Sequence, residues 1–231
     1  MTDPTGTPPE PGYPAPPWRA RGTLWLSLVT ARDPLPLPAD LAPLGSRRLL
    51  AVLLVRYVTG TLRYDEFAVG SPARRGRHVG LYCHGIWVDS AASLRGGRGL
   101  WGIPKEPARF SWGEDTVRVA DDTGTLAALR VGTRTGWRVP VPYAPASCFG
   151  RIGADRTHLA GRVAGRLGAG RAEVLEWGAR LPELRRPEPV GTLAVRPARF
   201  FFPAGTRLGR AGAPDPRPGE GVGPSGQGQA S

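Results

Sequence analysis

Lys105 is the only lysine in a chain of 231 residues whose Lys and Arg total 31. Arginine can replace lysine for charge and solubility, but its guanidinium stays protonated and cannot condense with a carbonyl. A primary amine can shed its proton and form an imine. Lys105 sits in Trp101-Gly102-Ile103-Pro104-Lys105-Glu106-Pro107, between two prolines that stiffen the backbone and suit a positioned side chain. The residues alone leave a second reading open. A solvated surface lysine could simply have survived in a composition rich in Arg, Gly, Ala and Pro.

Other chemistries find less support. His78, His84 and His158 show no metal-ligand spacing, and His84, inside an expected strand, reads as a packed residue rather than a ligand. No G-x-S-x-G or P-loop occurs; Gly97-Arg98-Gly99-Leu100-Trp101-Gly102 matches G-x-G-x-x-G in spacing alone, since Gly96-Gly97-Arg98-Gly99 lacks the immediately preceding strand of a phosphate cradle. Cys83 and Cys148 form neither a C-x-x-C nor an even ladder, which points to two free thiols in a reducing compartment. The net charge of +12 and pI near 11.1 favour an anionic partner. The arginines, however, are scattered singly or in pairs such as Arg47-Arg48 and Arg185-Arg186, with no basic stripe. Steering a small anionic acid into a cleft is expected, and nucleic-acid binding is not.

The elements that must hold Lys105 read as mostly β (α+β), in one domain over residues 18–208. A Pro/Gly-rich arm (1–17) and a Gly/Pro tail (209–231) are expected to be disordered. Strands are expected over 25–30, 49–61, 63–69, 79–88, 108–112, 116–120, 125–131, 136–141, 173–181 and 190–202. Pro34 to Leu44 suggests a short helix or turn, and Ser71 to His78 a loop. Asp89 or Ser90 caps a short helix that Gly96-Gly97 should end. Ala154 to Gly170 is ambiguous: Leu159, Val163 and Leu167 recur at helical spacing, against four glycines. The N-terminus shows no secretory signal, and the longest apolar run, Leu49 to Val55, is too short to span a bilayer. A soluble, cytoplasmic protein is the expectation.

The run from Asp89 to Lys105, with Gly97-Arg98 ahead of Pro104-Lys105, resembles the active-site segment of the acetoacetate decarboxylase family. Tyr64-Asp65-Glu66 resembles that family's Tyr-x-Glu segment, and the likeness extends over residues 50–112. The resemblance implies a closed, cone-shaped antiparallel β-barrel with a few short helices. It implies Lys105 as the Schiff-base lysine, Glu66 as a group that positions substrate or handles protons, and Arg21 as the partner of the substrate carboxylate. The implied activity is decarboxylation of a small β-keto acid through a Lys105 iminium, without metal or cofactor. Aldolase or dehydratase chemistry on pyruvate-like keto acids is the alternative, and a non-catalytic binder of an anionic small molecule a further one. The expected partner is the keto-acid substrate, with no nucleic acid and no membrane; a homo-oligomer is compatible with the resemblance.

Two departures stand out. The family's second lysine, directly after the first, is Glu106 here, and residues 51–63 contain no Asp or Glu to match a further family carboxylate. A carboxylate facing the amine would raise its pKa, although on extended backbone consecutive side chains point to opposite faces. Without a cationic neighbour, burial among apolar walls is expected to bring an amine of pKa ~10.4 down toward ~6.5, roughly 5 kcal/mol.

Overall fold

The computed structural model describes residues 12–212. Its strands are β1 (Trp18–Thr30), β2 (Ala42–Pro43), β3 (Leu49–Gly60), β4 (Tyr64–Arg75) and β5 (His78–Val88). After α1 (Ala91–Trp101) come β6 (Lys105–Pro107), β7 (Arg109–Trp112), β8 (Thr116–Ala120) and β9 (Thr125–Pro145). The remainder is β10 (Cys148–Ile152), β11 (Asp155–Leu159), β12 (Arg162–Trp177), β13 (Gly191–Phe202) and β14 (Thr206–Arg210). The mostly β reading holds, with one helix among the described residues rather than several.

All fourteen strands join one sheet, in the order β14-β11-β10-β5-β4-β3-β1-β13-β12-β9-β8-β7, with β2 on β4 and β6 on β5. Pairing is antiparallel except where β6 and β10 meet β5 in parallel. Among the described residues no hydrogen-bonded ladder joins β14 to β7. The expected closed barrel is therefore reduced to a curled sheet with two ends.

Alternation along the central strands separates two interiors. On β3, Leu50, Val52 and Leu54 face a core shared with Phe67, Val69 and Trp87, against the β7–β9 end of the sheet. Phe67 and Leu50 are fully buried, each worth roughly 1.5–3 kcal/mol on transfer from water. The intervening residues, Ala51, Leu53 and Val55, face the other way and line a chamber. That second face holds Lys105.

Several boundaries moved. Ser71 to Arg75 continues β4 instead of looping, because β2 and β5 flank it on both sides. Residues 125–141 form part of one strand, β9, since β12 pairs along nearly its whole length. The ambiguous 154–170 segment is β11 and the start of β12. Pro34 to Leu44 is no helix; its Asp40 is buried against Arg156 at 2.9 and 3.0 Å and Arg75 at 3.3 Å. Burial would raise the Asp40 carboxyl, but the hydrogen bonds and charge of Arg156 outweigh it and hold it below the usual carboxylate value. Of the expected arm, Gly12 to Pro17 are described: the Gly12 carbonyl accepts from Arg95, and the Pro14 carbonyl from Trp18. Residues 1–11 and 213–231 lie outside the described residues. No described helix is long and apolar enough to cross a membrane.

Candidate active site

Three elements converge on Lys105. β6 lies parallel to β5, so Lys105 stands beside Ile86, which in turn stands opposite Ala68 of β4. Two residues before Ala68 on the same face is Glu66. The third element is α1. Ser90 is its N-cap, with Oγ accepting from the Ser93 N–H at 3.2 Å; the Asp89 carboxylate instead accepts from the Asp65 N–H at 2.8 Å.

Gly96-Gly97 does not end α1. Ser93, Gly97 and Trp101 recur every four residues and form its buried face with Gly96. A Cβ on Gly97 would stand 2.6 Å from Cδ of Lys105, and one on Gly96 2.4 Å from the Trp18 ring. The glycines are interior because backbone must approach side chains there, despite a helix cost of ~1 kcal/mol each. The stop is Gly102, with φ 66°, where an added Cβ would meet the Arg151 carbonyl at 2.3 Å. Arg98 Nε donates to the Lys105 carbonyl at 2.9 Å and ties the loop back to the helix. Gly97→Ala should therefore push the Lys105 side chain aside. The expected result is slower acylation of Lys105 by an amine-selective reagent, with a stability loss of about 1–3 kcal/mol from overpacking. Unchanged acylation would show that the lysine is not held by this face.

Lys105 is 3% exposed, and its Nζ donates to Glu66 Oε2 at 2.6 Å and to Ser93 Oγ at 3.0 Å. The Tyr64 ring lies under the ammonium at 5.1 Å and is packed on Tyr57, whose hydroxyl is 3.5 Å from Glu66 Oε1. These groups open into a cavity of about 330 Å³ on the inner face of β1, β3, β4 and β5. Burial by itself would push the Lys105 ammonium down. The Glu66 charge beside it outweighs that, aided by Tyr64, and holds the amine above its ordinary value. This reverses the expectation of an amine lowered by burial, because the desolvated lysine is given a carboxylate partner. Cys83 and Cys148 also line the cavity, but burial raises both thiols, Cys83 to about 12, so neither is a thiolate near neutral pH.

Lys105 and Glu66 are thus brought together as expected. Arg21 is not with them. It is exposed on β1, opposite Thr59 and Arg199, while its neighbour Ala20 points inward, so strand alternation turns the guanidinium outward. Glu106 faces away from the amine, paired with Arg180 at 2.7 Å, because it shares a register position with Trp87 on the opposite face. His84 is half-buried, with Nε2 at 2.8 Å from Ser71 Oγ, and no group of ligating residues suited to a metal occurs among the described residues. Ser93 and Tyr57 were not singled out from the sequence, and Arg98 was named only as part of the motif, without a role. The four-residue spacing of Ser93, Gly97 and Trp101 was the available signal for Ser93.

The acetoacetate decarboxylase family profile matches residues 2–138. Acetoacetate decarboxylase 1 of Mesorhizobium japonicum is 32% identical over 134 residues, which are 54% of this chain and 52% of that protein. Acetoacetate decarboxylase 2 of the same organism is 33% identical over 137 residues. The chain spans about half the length of these curated relatives. Among solved structures, an acetoacetate decarboxylase from Legionella pneumophila superposes with TM-score 0.67 at 19% identity, covering 86% of this chain and 90% of that one. The enduracididine biosynthesis enzyme MppR, complexed with pyruvate, gives TM-score 0.62 at 16% identity over 90% of this chain and 95% of that one. At these identities the structural likeness is one of fold.

Proposed function

Since the chain belongs to the acetoacetate decarboxylase family, we propose that it is a Schiff-base-forming lyase that decarboxylates a β-keto acid on Lys105. The observation that carries this is the chain's only lysine buried in an apolar chamber, 2.6 Å from a carboxylate. That distance lets one proton pass from Nζ to Glu66 Oε2, leaving a neutral amine and a carboxylic acid. The amine adds to the keto carbon. Glu66 returns its proton to the departing hydroxyl, which leaves as water, and the iminium forms.

The iminium then accepts the electron pair of the breaking carbon–carbon bond, so carbon dioxide departs and an enamine remains. A proton on the α-carbon and hydrolysis by water release the ketone and the amine. The Tyr57 hydroxyl, which burial together with Glu66 and Tyr64 keeps well above its ordinary pKa, stays protonated as a donor toward Glu66 Oε1. Ser93 holds the amine against rotation away from the carboxylate.

Aldolase or dehydratase chemistry on a pyruvate-like acid would use the same iminium. Among the described residues no arginine lines the chamber, which suits a β-keto acid that sheds its carboxylate as carbon dioxide better than a pyruvate-like acid that keeps its carboxylate throughout. The test is to incubate the protein separately with acetoacetate and with pyruvate, add borohydride, and measure intact mass with peptide mapping. A reduced adduct on Lys105 with release of carbon dioxide from acetoacetate is the expected result. A Lys105 adduct with pyruvate alone would move the reading to the aldolase or dehydratase class. No adduct with either acid would leave a binder of anionic small molecules.

A further inference from the structure

We infer that the β-keto acid this site takes carries an apolar chain of several carbons beyond the ketone, and that acetoacetate is a poor, undersized substrate. The inference rests on the imine reading above and names its substrate class. Lys105, in the register row of Leu26, Leu53, Ala68 and Ile86, reaches with Nζ to Glu66, in the row of Leu24, Val55 and Val88. From the Glu66 row the cavity lining runs to Leu28 on β1 and to Ala51 on β3, four residues away on each, and to Pro72 on β4. At a rise of ~3.3 Å per residue, four residues give a slot roughly 13 Å long.

The walls beyond the amine are Leu26, Leu28, Leu53, Ala68 and Leu81, with the two protonated thiols. Among the described residues neither an arginine nor a histidine lines the slot, and Glu66 is the one carboxylate. The cavity of about 330 Å³ corresponds to about eleven water volumes at ~30 Å³ each. A keto acid ending in a methyl group would engage only the surroundings of Lys105 and Glu66 and leave the leucines facing a void or water. A longer alkyl chain covers them, and the carboxylate stays beside the cation that forms at Nζ.

The chain also has a chemical consequence. The resting Lys105–Glu66 pair is ionic, and its ammonium and carboxylate are stabilised by whatever water the chamber admits. An alkyl chain that expels this water removes hydration from both charges at once and favours the neutral amine and acid. The proton then moves from Nζ to Oε2 when the substrate is seated, so a well-filled chamber activates its own nucleophile.

The experiment is a series of acetoacetate, β-ketohexanoate, β-ketooctanoate and β-ketodecanoate, read as carbon dioxide release and as borohydride-trapped Lys105. Each buried methylene is expected to raise kcat/KM about fourfold until the slot is full. β-Ketooctanoate should exceed acetoacetate by at least tenfold, and Leu28→Trp, at the far end, should shrink that ratio. Trapping of Lys105 by all members with a flat or falling rate series would overturn the inference and leave the imine reading intact. Should no member be trapped, the imine reading falls, and the slot is decided with alcohols, which cannot form an imine. 1-Octanol binding at least tenfold tighter than 1-butanol by calorimetry would support an apolar-chain site, and equal affinities would overturn it.

Discussion

Lys105→Arg is expected to remove all borohydride-trappable adduct and to lower kcat/KM on the order of 10⁴-fold or more, while the protein melts close to the unsubstituted chain. Arginine keeps a cation beside Glu66, whose side chain is only 12% exposed. Removing the cation altogether, as in Lys105→Met, would strand a buried carboxylate at a cost of about 3–5 kcal/mol unless Glu66 took up a proton. The guanidinium cannot attack a ketone, so charge is retained and chemistry is lost. A binder that needs only a counter-ion would keep its ligand in this variant. Retained turnover would sink the imine mechanism, since no other lysine exists in the chain to replace the nucleophile.

The same substitution has a pH signature. The folded-state pKa of Lys105 lies above its ordinary value of 10.5. The stability it contributes is therefore fully present below about that value, and is lost only as pH rises through the raised folded value. Arginine does not titrate in that range. Alkaline unfolding should begin at lower pH in the lysine protein than in Lys105→Arg, provided the arginine pairs with Glu66 as the lysine does.

What was legible in the chain divides along physical lines. Lys105 stood out because its chemistry is unique in the composition, and Glu66 because the tyrosine two residues earlier carried the family likeness. Arg21 was assigned by order along the chain, and order does not determine which face of a strand a side chain takes; one residue of parity places Ala20 inside and Arg21 outside. The glycines of α1 were read as a stop because propensity counts only the backbone cost. Their gain, the approach of Gly97 to Lys105 and of Gly96 to Trp18, exists only after the helix packs. Residues 154–170 stayed ambiguous because helical spacing stood against four glycines, whereas long-range pairing of β12 with β9 and β13 decided the strand. The raised amine was out of reach for the same reason. Burial of Lys105 could be foreseen, but the 2.6 Å approach of Glu66 arises from the pairing of β4, β5 and β6.

Glu66→Gln separates these effects. The carboxylate has two roles, which pull the amine and the turnover in opposite directions. It holds the Lys105 proton on, so its removal leaves burial, the largest influence on that amine, opposed by Tyr64 alone. The amine of the Gln variant should then titrate lower than in the unsubstituted protein, and acylation of Lys105 should begin at correspondingly lower pH. Imine formation would survive, and borohydride should still trap a ketone on Lys105. Turnover should nevertheless fall by roughly 10²–10⁴-fold, because no acid remains to expel hydroxide from the carbinolamine or to handle protons afterwards. The combination of an easier adduct and a stalled cycle is what a purely structural ion pair would not produce. An acylation onset that stays put or moves to higher pH would mean that Glu66 does not govern the amine. Unimpaired turnover would assign the proton transfers to Tyr57 or to water instead.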